Sequence, residues 1–407
     1  MNSKKILYLT SSYPYGVGES FIQPELDYFH EEKGFDIIVS PMKISGELRD
    51  NSNKYNVKPI LKCNQDVFFY ALLSFFSSFF WLELYNIPWK KKIFLLKPLL
   101  VKSAHIIKLK SKIRQICKEH EVSIVYTFWN DVQSYACSML KKEGLNINLI
   151  SRVHGFDLYK EVQNKQQMLF KWQFKNYVDE YICLSIKACK YLIEEYDIEQ
   201  RKIKIIPLGI NIMDDRCSFI IDENVVKLVS CSFCTKNKNL DKILKICQKL
   251  ADFYNDKEVY WYHIGNGPEY ENIKNLMHFN EVKNLKCNAL GYMTTIEIME
   301  LYKSQQFNLF INASKSEGLP VSIMESMSCG IPVAASDVGG ISEMLSDTGS
   351  ITFDPNSNEF EFLIKNISRD IMFNESIRQN VYRKARNSYC SRKNTEKLIS
   401  LIKGIAL

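Results

Sequence analysis

Short apolar runs alternate with longer amphipathic stretches along most of this chain. Ile6–Leu9, Ile37–Ser40, Ile124–Thr127, Leu149–Val153 and Tyr181–Leu184 read as buried strands. Lys204–Pro207, Val226–Cys231, Val259–Ile264, Leu309–Asn312 and Val333–Ala335 continue the series. Near-continuous apolar strands separated by helical stretches predict parallel sheets covered on both faces. That many strands suits two doubly wound sheets better than one. Pro207-Leu-Gly209 breaks the pattern and a polar stretch follows, which places a hinge near Leu208–Asp215. The expected organisation is a Rossmann-like domain over 1–208, a second over 209–385, and a terminal helix over 386–407 that crosses back to the first.

One segment departs from this rhythm. Val67–Leu82 reads VFFYALLSFFSSFFWL without a charge, and Glu83 and Pro88 close it. Trp89-Lys-Lys-Lys92 and the apolar run Ile93–Val101 follow. The whole stretch, about 67–105, reads as helical. Its uncharged run is shorter than the roughly 20 residues of a spanning helix. Three readings stand: helices packed on the first domain, an element lying in a membrane interface with aromatic anchors and a lysine cluster for anionic lipid, or a spanning helix.

Composition narrows the class. At about 100–200 residues per domain, 407 residues allow two or three domains. With 46% hydrophobic and 24% charged residues, the chain is ordinary globular protein and not a disordered one. The charge, 53 − 46 = +7, suits an anionic ligand or an anionic membrane surface and falls short of a dedicated nucleic-acid binder. Twelve cysteines are scattered, unlike a small disulfide scaffold. Cys231-Ser-Phe-Cys234 has no second pair and no close histidine to complete a zinc set. The opening Ile6-Leu-Tyr-Leu-Thr10 is too short for a signal-peptide core and reads as a first strand. The expected location is the cytoplasm, with reduced thiols, peripheral on the inner membrane's cytoplasmic face if the 67–105 segment meets lipid.

The chemistry concentrates in Asn312–Val333. A strand leads into a polar turn, Pro320 marks a helix start, and Gly330 marks its end. Glu317 precedes the helix and Glu325 stands about two turns down it. Backbone N–H groups at Gly318, Leu319, Pro320–Val321 form an anion site between the two carboxylates, the proline itself supplying only shape. Carboxylates beside a phosphate site grip hydroxyls, because an ionised carboxylate accepts strongly. Helix capping by Glu317 and a solvated Glu325 is the alternative. A dehydrogenase reading fails. Gly16-Val-Gly18 and Gly265-Asn-Gly267 each lack the third glycine of the dinucleotide fingerprint.

Together these pieces resemble the family-4 retaining glycosyltransferases of the GT-B fold. Glu317-x(7)-Glu325 enclosing Gly318-Leu319-Pro320 matches their signature. Ser151-Arg-Val-His154-Gly155-Phe-Asp157 resembles the family's H-G-x-D element, and Pro207-Leu-Gly209-Ile-Asn211 its post-hinge element. Trp261-Tyr-His-Ile-Gly265-Asn-Gly267-Pro268 and Asp337-Val-Gly339-Gly340-Ile-Ser-Glu343 fall in the expected order. Gly18-Glu19-Ser-Phe21, Leu228-Val-Ser-Cys231-Ser and Pro320-Val-Ser-Ile-Met-Glu325 are closest to bacterial members that build capsule, exopolysaccharide or lipopolysaccharide O-antigen.

The resemblance implies two doubly wound domains facing each other across a cleft. It also implies retaining transfer of a sugar from a nucleotide-diphosphate donor, UDP ahead of GDP, to a hydroxyl of a saccharide, commonly lipid-linked. Glu317 would bind the donor sugar, Glu325 the ribose, and Lys238 the diphosphate. His154 would orient the sugar, and Gly18 would let backbone approach the phosphates. No metal and no cofactor are implied. One departure stands out: Phe233 occupies the place of the family's arginine, with Lys236 as the cation nearest to replace it. A nucleotide-sugar isomerase or hydrolase, and a non-catalytic nucleotide-sugar-binding protein, are the alternatives.

Overall fold

A computed structural model describes residues 4–32, 34–60, 67–212, 222 and 224–405. It divides into two compact units, Met1–Pro207 with Arg392–Leu407 and Leu208–Ser391. The Asp214-Asp215 part of the expected hinge lies outside the described residues.

The N-terminal unit holds β1 (Lys4–Thr10), β2 (Phe35–Pro41), β3 (Asn56–Val57), β4 (Ile124–Thr127), β5 (Asn148–Arg152), β6 (Glu180–Cys183) and β7 (Ile203–Ile205). They form one sheet in the order β3-β2-β1-β4-β5-β6-β7. The C-terminal unit holds β8 (Val225–Cys231), β9 (Glu258–Ile264), β10 (Leu285–Gly291), β11 (Leu309–Asn312), β12 (Val333–Ser336) and β13 (Ile351–Phe353). Their order is β10-β9-β8-β11-β12-β13. Every pairing in both sheets is parallel. Two doubly wound Rossmann-like units are what the strand pattern predicts, and they agree with the GT-B fold that the resemblance implies.

Three strands escaped the apolar-run reading: β3, β10 and β13. All three lie at sheet edges. An edge strand is not buried on both faces, so it lacks the continuous apolar run that marks a central strand. In β10 only Leu285 is buried and the other positions are half-buried or exposed, whereas Ile6–Leu9 in central β1 is fully buried. The edge strand β7 likewise spans Ile203–Ile205 and not the expected Lys204–Pro207.

The segment after residue 67 is helical as expected: Val67–Ser74, Ser78–Asn86 and Trp89–Glu119. Leu95, Leu99, Ser103, Ile106, Leu109, Ile113 and Cys117 bury one face of the long helix at steps of three or four residues. Among the described residues no helix is long and apolar enough to cross a membrane. The packing and interfacial readings of the segment remain.

A buried ion pair anchors the end of β5. Arg152 Nη1 donates to Glu25 Oε2 at 2.6 Å, and the Tyr8 hydroxyl donates to Glu25 Oε1 at 2.6 Å. Arg152 is completely buried, two residues before His154. Such a pair fixes geometry more reliably than it adds stability, because desolvation offsets much of the attraction.

Candidate functional site

Strand order reverses between β1 and β4 in one unit and between β8 and β11 in the other. Open α/β sheets bind ligands outside the strand C-termini at such switch points. The expected site residues fall at these two places.

In the C-terminal unit the loops after β8 and β11 are bound together. Lys315 N–H donates to the Asn237 carbonyl at 2.8 Å, and the Asn237 amide donates to the Ser316 carbonyl at 2.9 Å. Lys238 Nζ then donates to Glu317 Oε1 at 2.6 Å. Two residues distant in sequence are thus joined as an ion pair, largely shielded from solvent. An ammonium has three protons. One goes to Glu317, which leaves two for a second acceptor. Lys236 is exposed, and Phe233 is 62% exposed, so the arginine position of the family is filled here by a surface aromatic ring.

The Glu317–Pro320 turn is braced from the loop after β12. Gly340 N–H donates to the Gly318 carbonyl at 2.9 Å. A Cβ on Gly339, whose φ is +57°, would stand 2.1 Å from the Glu317 carbonyl oxygen, so only glycine allows this approach. Pro320 is the N-cap residue and the helix runs Val321–Ser328, one position later than the sequence suggested. Gly318 is partly exposed at the turn, while Leu319 and Pro320 are buried beneath it. Glu325 lies on the helix and is buried, not solvated. Burial pushes its carboxyl up to about 7.

Of the Cys231/Cys234 pair, Cys234 joins a buried hydrogen-bonded row. Cys234 Sγ lies 3.2 Å from His263 Nε2, and His263 Nδ1 lies 2.8 Å from Ser230 Oγ, all buried. Burial lowers the His263 pKa to about 4. Among the described residues no group of three or more His, Cys, Asp or Glu side chains is arranged to hold a metal.

In the N-terminal unit His154 follows β5. Its ring packs on Trp129 at 4.3 Å and Phe128 at 4.9 Å between centroids. Neither ring nitrogen has a hydrogen-bond partner among the described residues, although the ring is nine-tenths buried. Asp157 serves the backbone: it accepts the His154 N–H at 2.6 Å and the Asn130 N–H at 2.7 Å. It thereby fixes the turn that carries the imidazole.

Two further residues lay beyond the sequence reading. Glu19, at φ +59°, accepts the N–H groups of Ser11, Ser12 and Tyr13 at 3.2, 2.7 and 2.8 Å. It also accepts the Trp129 indole N–H at 2.5 Å. Three successive amides form an anion nest, and here the chain's own carboxylate fills it. Gly18 is exposed, with ordinary backbone and room for a Cβ. Gly16 is the glycine whose conformation is required: φ is +68°, and a Cβ would meet Ser45 O at 2.0 Å. Arg49 closes this loop with bonds to the Gly16 and Gly18 carbonyls at 2.7 and 2.6 Å. A cavity of about 990 Å³ opens beside it, lined by Glu19, Lys43, Glu47, Arg49, Trp129 and Asp131 among others. The signal for Glu19 was its place in Gly18-Glu19-Ser-Phe21. Trp129 carried none.

Two Rossmann-like units, each with charged or aromatic groups at its switch point, define a GT-B glycosyltransferase fold. The chain belongs to the family-4 (group 1) glycosyltransferases: the Glycosyltransferase Family 4 profile matches residues 85–213 and the Glycosyl transferases group 1 profile matches residues 214–387. It is 27% identical over 250 residues to the O-antigen biosynthesis glycosyltransferase WbnH of Escherichia coli, an alignment covering 58% of this chain and 65% of that one. The match thus spans just under two thirds of that relative's length. Among solved structures, the lipopolysaccharide outer core galactosyltransferase WaaB superposes with a TM-score of 0.68 at 14% identity, over 97% of this chain and 99% of that one. Anabaena HepE in complex with UDP-glucose superposes with a TM-score of 0.67 at 15% identity, over 98% and 99%. At such identities these two likenesses speak for the fold.

Proposed function

We infer that this protein moves a sugar, with retained anomeric configuration, from a nucleoside diphosphate sugar to a hydroxyl of a saccharide in cell-surface polysaccharide biosynthesis. The Lys238–Glu317 pair beside buried Glu325, at the switch point of the C-terminal sheet, is the observation that carries this reading. The O-antigen assignment of WbnH supports the pathway class, and the UDP-glucose complex of HepE supports UDP as the nucleotide.

In this reaction the bond from the anomeric carbon to the leaving phosphate breaks as the bond to the acceptor oxygen forms. The acceptor proton passes to the departing phosphate. Lys238 and the first-turn amides of helix Val321–Ser328 meet the charge that develops on the diphosphate. Glu317 keeps one oxygen for a donor-sugar hydroxyl, while Lys238 holds the other. Glu325 accepts from the ribose hydroxyls. His154, whose ring nitrogens have no hydrogen-bond partner among the described residues, orients the transferring sugar. The reaction uses no metal and no cofactor, so it persists in EDTA. The acceptor, a saccharide carried on a lipid, occupies the N-terminal unit's cavity. Trp129 offers a sugar face there, and Glu47 and Asp131 offer acceptors.

The test is transfer from radiolabelled donors to lipid-linked acceptor extracts, with NMR of each donor incubated alone. Acceptor-dependent product supports the proposal. Turnover of donor without acceptor would assign an isomerase or hydrolase. Nucleotide binding with no product would assign a non-catalytic binding protein.

A further inference from the structure

The long helix Trp89–Glu119 changes character along its length. Its second half has an ordinary polar surface beside the buried Ile106–Ile113 stripe: Lys112 is exposed, and Lys110 and Arg114 pair with Glu143. Its first half is apolar on the outer face too. Trp89 is 84% exposed, Ile93 80%, and Phe94 is also exposed. The two short helices packed against it add Phe76 at 89% exposed, Trp81 and Tyr85. Exposed aromatic and aliphatic side chains concentrated in three neighbouring helices exceed the scattered singles of a water-facing surface.

The charge around this face has one sign. Between residues 67 and 118 the only acidic residue is Glu83. It is buried and spent on the Phe170 N–H at 2.8 Å and the Gln173 amide at 2.7 Å. Lys90 and Lys97 are exposed, and Lys92 Nζ lies 5.7 Å over the Trp89 ring. A second copy of the chain docked here by a two-fold axis would set lysines against lysines. A basic rim on an aromatic surface complements a negatively charged lipid headgroup layer.

The face also adjoins the cavity. Lys102, one residue beyond exposed Val101, pairs at 2.7 Å with Asp131, which lines it. Val17 and Phe156, both exposed, stand on the cavity's wall. We propose that helices Val67–Ser74 and Ser78–Asn86 with the first half of Trp89–Glu119 seat the N-terminal unit on an anionic bilayer, bringing the cavity to the lipid surface. The aromatic side chains enter the headgroup–acyl boundary, and Lys90, Lys91, Lys92 and Lys97 meet lipid phosphates. The surface stands on its own observations. Its service to catalysis rests on the lipid-linked acceptor inferred above.

The experiment is flotation of the full chain with phosphatidylcholine vesicles, with and without roughly 30% phosphatidylglycerol. Wild type co-floats with the anionic vesicles and is released by about 0.5 M NaCl. The variant Lys90→Glu/Lys91→Glu/Lys92→Glu loses at least about tenfold in bound fraction. A second variant, Phe76→Ser/Trp89→Ser, loses a similar amount while charge is kept. Quenching of tryptophan fluorescence by bromolipid, diminished in Trp89→Phe, reports insertion without relying on a disruptive change. Failure to co-float, charge-reversed protein that floats like wild type, or a stable dimer that buries the face in place of lipid binding would each overturn the proposal. A melting-temperature rise with UDP, read on the same variants, keeps this outcome separate from the transferase reading. Membrane binding without any nucleotide response would leave the surface standing and sink the function.

Discussion

The two switch points are built in opposite ways. In the C-terminal unit the chemistry lies in two local loops. Lys238 meets Glu317 because adjoining backbone bonds at Asn237 place the loops in register. In the N-terminal unit Glu19, Trp129 and His154 come from three separate crossovers, and the Glu19 carboxylate collects three backbone amides, the Ser12 hydroxyl and the Trp129 indole. The first site joins two opposite charges in a largely shielded pair that keeps ammonium protons and a carboxylate oxygen for a ligand. The second satisfies its charge internally and presents an aromatic wall and an unpartnered imidazole. The proposed function assigns a diphosphate donor to the former and a sugar face to the latter.

Substitutions can separate the two. The largest effect belongs to the N-terminal scaffold: Glu25→Ala strands the buried Arg152 charge and destabilises by about 3–5 kcal/mol in urea unfolding. Next comes Lys238→Ala. It removes the ammonium proposed to meet the leaving group and is expected to lower kcat by roughly 10²–10³, with circular dichroism and melting close to wild type. Glu19→Gln keeps an acceptor for Trp129 but loses the charge that collects three amides. Transfer falls roughly tenfold through misplacement of the Trp129–His154 wall. UDP affinity, which the proposed function assigns to the other unit, is expected to stay within about twofold.

A smaller effect is the pH response of Glu325. Its carboxyl is raised from 4.5 to about 7 by burial, so the folded protein holds a proton that the unfolded chain has lost. The associated stability is fully present below pH 4.5 and is lost as pH rises through about 7. Ribose binding prefers the ionised acceptor, so UDP affinity rises a few-fold from about pH 6 to about pH 8. Glu325→Gln flattens that profile. The smallest effect is Gly18→Ala, expected to be nearly silent because a Cβ there meets only Ser12 Oγ at 4.0 Å. Gly16→Ala, by contrast, lowers the melting temperature.

The same contrast explains what the sequence could reveal. Central strands such as Ile6–Leu9 and Leu309–Asn312 are covered on both faces and read as apolar runs. Edge strands β3, β10 and β13 are not, and stayed hidden. Glu317 and Glu325 sit on one short segment after β11 whose spacing shows their relation, whereas Lys238, 79 positions away after β8, was marked by the family resemblance. Glu19 and Trp129 are 110 positions apart, and nothing local announces that they touch. The role of Glu325 as a buried group was also invisible, because Pro320–Gly330 carries polar residues on a helix that is nevertheless covered.

The most direct measurement is calorimetric titration of UDP into wild type, Lys238→Ala, Glu325→Ala and His154→Ala. The account predicts one site in wild type, weakened at least about tenfold by each C-terminal substitution and little changed by His154→Ala. Undiminished UDP affinity in both Lys238→Ala and Glu325→Ala would contradict it.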